Sequence, residues 1–173
     1  MDKTYIIPFV GLKEGKHQFD FVINNKFFET YKFDEILDAH IDVHLDFVKK
    51  STLLELSFST KGTIKVACDV TNEHYNEPIE TTLDLVVKFG NEFNDENEEI
   101  IIIPHSDYQL DVSQFIYEML VLAVPRKKVH PGIEDGTLQS DILDKLEELK
   151  PKETTNNQET DPRWSKLKDL YNR

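Results

Sequence analysis

Two histidines and two aspartates alternate at His40, Asp42, His44 and Asp46, and residues of these types at this spacing could hold a metal ion. Every second residue of a strand shares a face, with neighbours on that face roughly 6.7 Å apart at the backbone. Two imidazoles and two carboxylates at that separation could close around zinc or another transition metal. The water-facing side of an antiparallel strand carries the same alternation, and that is the reading we adopt; a metal-dependent enzyme on this face is the alternative. Cys68 is a lone thiol. Its inward parity makes it a small buried hydrophobe, and Thr71 stands where the second member of a zinc-binding cysteine pair would be, with His74 too little to complete four ligands. The chain also lacks a GxSxG elbow, a glycine-rich phosphate loop and an HExxH motif. The sequence therefore predicts no catalytic residue, no metal and no cofactor.

Binding chemistry is better represented. Arg126-Lys127-Lys128-Val129-His130 is the densest basic cluster, set between Pro125 and Pro131. Cations just past a helix complement its dipole, and the same residues could form a small anion-binding patch extended by Lys49, Lys50, Arg163, Lys166, Lys168 and Arg173. Further on, Asp161-Pro162 has the form of a helix start, with a side-chain cap and a proline at the first helical position. Trp164, Leu167, Leu170 and Tyr171 then recur at helical spacing. An apolar helix face carrying the chain's one tryptophan must dock on its own domain or on a partner. The expected RNA- or partner-binding residues are Arg126, Lys127, Lys128, His130, Arg163, Trp164, Leu167 and Leu170.

These side chains have to be positioned by the rest of the 173 residues. From Thr4 to Phe89 apolar and polar residues alternate, as in half-buried strands. Ile41 to Phe47, Leu54 to Phe58, Ile64 to Cys68 and Ile79 to Phe89 are four strands. Tyr5 to Val10 and His17 to Ile23 are two more. The short connections at Lys49-Lys50-Ser51 and Lys61-Gly62 suit hairpins, since a parallel crossover needs many more residues. Asn25 to Tyr31 reads as a short helix capped by asparagine. After an acidic loop, Ile100 to Ile103 is an apolar strand ended by Pro104. Asp111 and Gln114 form a capping-box pattern before a helix whose face is Val112, Phe115, Ile116, Met119, Leu120 and Ala123. The expected fold is α+β: an antiparallel, barrel-like sheet of about six to seven strands packed on one buried helix, with a helical C-terminal appendage. The expected divisions are a core at 1–130, a helical extension at 131–149 started by Ser140 or Thr137, a flexible linker at 150–160 and an amphipathic helix at 161–173.

Charge limits the partners. Lys plus Arg number 20 and Asp plus Glu 33, a formal charge of -13. General affinity for nucleic acid depends on neutralising phosphates, so any RNA contact must be local. A single cysteine gives no disulfide framework, the N-terminus lacks the pattern of a secretion signal, and no apolar run approaches the roughly 20 residues that span a bilayer. A cytoplasmic protein without membrane contact is expected.

The order of features carries a resemblance. IPFVGLKEGKHQFDF near the start, a strand ending in Cys68-Asp69, a buried helix followed by a proline and then Val129-His130-Pro131, and the terminal DPRWSKLKDL together resemble the YceD family of large ribosomal RNA accumulation proteins, in its Bacteroidetes form. That resemblance implies a bacterial ribosome-biogenesis factor that supports accumulation or processing of large-subunit ribosomal RNA without known catalytic activity. Its partners would be that RNA, directly or indirectly, or ribosomal proteins, whose cationic character suits an acidic adaptor. Relatives carry a C-x-x-C where this chain has only Cys68 and Thr71, so no metal or redox role of that pair transfers.

Overall fold

The computed structural model describes residues 3–97 and 100–151. The helix expected at 161–173, with Arg163, Trp164, Leu167 and Leu170, lies outside the described residues, as does the expected linker beyond residue 151. The chain divides into two compact units, Met1–Leu138 and Gln139–Arg173.

In the first unit, β2 (Gly15–Asn24), β3 (Asp38–Lys49), β4 (Leu53–Ala67) and β5 (His74–Gly90) form an antiparallel meander, and β6 (Ile100–Pro104) adds to β5 in parallel. A separate two-stranded ribbon joins β1 (Ile6–Ile7) to β7 (Leu110–Asp111). Three short helices complete the unit: α1 (Asn25–Thr30), α2 (Ser113–Ala123) and α3 (Pro131–Glu134). The second unit contributes α4 (Asp141–Leu149), whose N-cap Ser140 accepts a hydrogen bond from the Ile142 amide. The α+β class holds.

Three expectations need correction. The sheet does not close: β2 and β6 are its two edges, and it has five strands rather than six or seven. It is not wholly antiparallel either, because β6 lies parallel to β5. Asn94 bridges Ile102 from the far side (Asn94 amide to Ile102 carbonyl, 2.9 Å), which leaves β6 running alongside β5 in the same direction. Lys61-Gly62 is not a turn. The β4 strand runs through it, with Gly62 opposite Ile41, and a Cβ on Gly62 would lie 2.3 Å from the His40 carbonyl oxygen. Glycine there admits close approach of two strands rather than a reversal.

The first helix starts at Asn25 and is capped by asparagine, as the sequence predicts: Asn24 accepts from the Lys26 amide at 3.1 Å. The start of α2 differs in detail. Asp111 accepts from the Ser113 amide at 2.9 Å, but Gln114 donates to Glu118, so the reciprocal capping box does not form. Tyr5 to Val10 keeps only the two strand residues of β1, flanked by 3-10 turns at Lys3–Tyr5 and Phe9–Gly11, because Pro8 breaks the strand.

One core holds the first unit together. Phe47, Phe58, Leu45, Leu56 and Ile41 on the inner sheet face are essentially inaccessible, as are Val112 just before α2, Ile116 and Leu120 of α2 and Phe28 of α1. Each fully buried side chain of this size contributes on the order of 1.5–3 kcal/mol. The outer face remains polar, and His40, Asp42, His44 and Asp46 all stand on it.

Candidate functional site

The basic segment after α2 is tied down as a strap. The Asp69 amide donates to the Lys128 carbonyl at 2.8 Å, and the Lys128 amide donates back to Asp69 Oδ2 at 2.7 Å. The Lys128 ammonium reaches Glu35 at 2.8 Å with its side chain only 15% exposed. That hydrogen bond and charge hold Lys128 above its ordinary pKa. His130 is engaged three ways: its amide donates to Cys68 Sγ at 3.3 Å, its Nδ1 accepts from the Gly132 amide at 2.9 Å to cap α3, and its ring meets Tyr75 edge-on. Burial, with Glu77 nearby, pushes the Tyr75 hydroxyl up to about 12. Two of the expected contact residues therefore fasten the strap. Arg126 and Lys127 are exposed, and neither forms a salt bridge among the described residues.

The strap's anchor is the turn 68–73 between β4 and β5. The Cys68 amide donates to the Glu73 carbonyl and the Asn72 amide to the Cys68 carbonyl, both at 2.8 Å, while Asn72 takes the left-handed conformation at φ 61° that asparagine tolerates better than most residues. Burial raises the Cys68 thiol's pKa, but hydrogen bonds from the Thr71 hydroxyl and the His130, Thr71 and Val70 amides outweigh it, leaving the pKa below its ordinary value. Thr71 is itself 4% exposed. The residue in the second cysteine position thus serves Cys68 as a hydrogen-bond donor. A buried donor left without an acceptor costs about 1–3 kcal/mol, which makes the sulfur a structural hub.

Lysines expected to enlarge the basic patch work elsewhere. Lys49 Nζ donates to the carbonyls of Phe9 (2.9 Å) and Leu12 (2.8 Å), holding the amino-terminal segment to the sheet, and Lys50 pairs with Glu55. Among the described residues the patch is local to the strap; Arg163, Lys166, Lys168 and Arg173 lie outside them.

On the outer sheet face, register places Asp20 opposite His44 and Gln18 opposite Asp46. His44 Nδ1 bonds Asp20 Oδ1 at 2.6 Å; Asp46 accepts from Gln18 at 2.9 Å and pairs with Lys16 at 3.0 Å. The Asp20 hydrogen bond raises the His44 pKa, and the Gln18 and Lys16 hydrogen bonds lower that of Asp46. No group of three or more histidine, cysteine or acidic side chains among the described residues is arranged to hold a metal ion. Two of the four residues behind the metal-enzyme alternative are drawn into a cross-strand network with β2 instead.

Sequence reasoning missed an open groove of about 550 Å3 beside the start of α2. Its floor is Tyr31, Ile103, Leu110 and Phe115; its rims carry Phe93, Tyr108, Asp95, Asp107 and Asp111. The two aromatic rims are 58% and 62% exposed. The available signal was Phe93 beside Asp95 in the acidic loop and Tyr108 beside Asp107 in the next.

No helix among the described residues is long and apolar enough to cross a membrane. No curated protein and no solved structure matches the chain. A family model described as large ribosomal RNA subunit accumulation protein YceD matches residues 56–171, a span that includes the Cys68 turn, the groove loops, α2 and the strap but not β3 with its histidines. With about two-thirds of its 173 residues covered by that match, the chain belongs to the YceD family.

Proposed function

We propose that this protein is a non-enzymatic factor supporting accumulation of large-subunit ribosomal RNA, and that it acts by binding rather than by chemistry. Family membership sets the process. The observation that carries the binding reading is the strap: Arg126 and Lys127 stand exposed on a segment fixed by Lys128 and His130, so two cations are held ready while their neighbours act as fasteners. A formal charge of -13 opposes extended contact with RNA, so a short phosphate contact must be supplemented by protein contacts. Arg163, Trp164, Leu167 and Leu170 are assigned to partner contact on their sequence pattern.

The test is binding to a large-subunit ribosomal RNA fragment across 50–200 mM salt, comparing the unaltered protein with Arg126→Gln/Lys127→Gln. Each phosphate contact contributes about 0.7–0.9 to the slope of log affinity against log salt. The double variant is expected to flatten the slope by roughly 1.4 to 1.8. An unchanged slope would make the strap a structural tie only, and the direct RNA contact would be withdrawn.

A further inference from the structure

We propose that the groove beside α2 binds a basic peptide segment of a protein partner, one that alternates arginine or lysine with aliphatic residues. The proposal rests on the reading of the protein as a binding factor and assigns that reading a second site with its own chemistry.

Shape and rigidity come first. Both rims are pinned by backbone hydrogen bonds. On one side Asn94 exchanges two with Ile102, at 2.9 and 2.7 Å; on the other, the His105 amide donates to the Gly90 carbonyl and the Val10 amide to the Tyr108 carbonyl. The floor is fixed as well, because Tyr31 stacks on Tyr117 with ring centres 4.1 Å apart. A groove that already has its bound shape loses little entropy on binding. It suits an extended segment whose aliphatic side chains meet the floor.

Charge then selects the occupant. Asp95, Asp107 and Asp111 line the groove, and among the described residues no lysine, arginine or histidine does. Neither Asp95 nor Asp107 forms a salt bridge among the described residues. The start of α2 would by itself favour an anion, but the Asp111 carboxylate already accepts from its first amide. RNA would meet three carboxylates here. A guanidinium or ammonium would instead find carboxylates beside the open faces of Tyr108 and Phe93, where cation–π attraction adds to the ion pairs. Exposed ion pairs at such a site each change affinity only about two- to threefold, so the apolar floor must supply the remaining affinity.

Because a strongly acidic protein attracts any basic peptide, the test holds total charge constant. The probe is a fluorescein-labelled decapeptide of alternating arginine and leucine, titrated against the full chain and read by anisotropy. Asp95→Asn/Asp107→Asn is compared with Glu80→Gln/Asp84→Asn, which removes the same charge from the outer face of β5. The groove pair is expected to lose about fivefold in affinity and Tyr108→Ala about threefold, while the β5 pair changes by less than about twofold. Amide shifts on adding the peptide should centre on Tyr31, Tyr108 and Phe115. Equal losses in the two charge-matched variants, or shifts centred on β3 and β5, would overturn the proposal. The RNA slope measured with Arg126→Gln/Lys127→Gln is independent of this outcome, so failure of the groove and failure of the RNA contact are separable.

Discussion

At the scale of single residues, hydrogen-bond partners explain more than residue type does. His44 is an exposed strand histidine, yet its bond to Asp20 raises its pKa above 6.5. The charged form is therefore favoured by folding. Its stabilisation is fully present below pH 6.5, the unfolded value, and disappears as pH rises through the raised folded value. Asp46 behaves oppositely, contributing above its unfolded value of 3.8 and losing its contribution as pH falls through the lowered one. An NMR titration of the histidine ring protons should give His44 a midpoint above 6.5, and Asp20→Asn should bring it back toward 6.5. A midpoint at or below 6.5 in the unaltered protein would mean that the Asp20 bond does not persist in solution. The burial of Cys68 was legible from strand parity. The use of Thr71 and the strap amides as its donors was not, since a bond across 62 positions, from His130 to Cys68, leaves no trace in local pattern.

Elements were legible where one periodicity ran without interruption. The alternation in β3 and the apolar face of α2 both fold as the sequence predicts, with Ile41, Val43, Leu45 and Phe47 inward and Ile116, Met119 and Leu120 buried. Misreading began where a breaker residue outweighed the period. Leu54, Leu56, Phe58, Thr60, Ile64, Val66 and Cys68 are buried and all fall on even positions, so parity passes unbroken through Lys61-Gly62; a hairpin would have had to preserve it by coincidence. Gly62 instead lies where β3 comes too close for a side chain. Gly62→Ala should cost about 2 kcal/mol of stability, the range for overpacking, whereas Gly11→Ala, with nothing within 4 Å of its added carbon, should cost far less. Urea unfolding of the two variants checks this, and equal midpoints would show that β3 and β4 can separate there cheaply. The all-antiparallel expectation failed for a different reason: the rule that short connections imply antiparallel pairs has no hold after β5, where Asn94 pairs antiparallel with Ile102 and β6 lies parallel to β5.

At the scale of the whole molecule, the grooved and strapped sides use charge differently. A net acidic protein can present two cations locally and keep three carboxylates around an apolar trough, and only placement in three dimensions separates these from the surrounding charge. Most of the sheet is also built from neighbours in the chain, β2 through β5 in order. The ribbon of β1 and β7 is the exception, pairing Ile6 with Asp111 and adding bonds from Val112 to Tyr5 and from Val10 to Tyr108. Such a pairing closes a loop of about a hundred residues, and loop-closure entropy makes a contact of this span late to form and early to open. Hydrogen exchange should therefore release the Val10 and Val112 amides well before those at the centre of β3 and β4; simultaneous release would mean that the ribbon opens only with global unfolding. Since Tyr108 is fastened through this ribbon, the amino-terminal segment is a latch on the groove's rim, and its opening rate sets an upper bound on how long that rim keeps its shape.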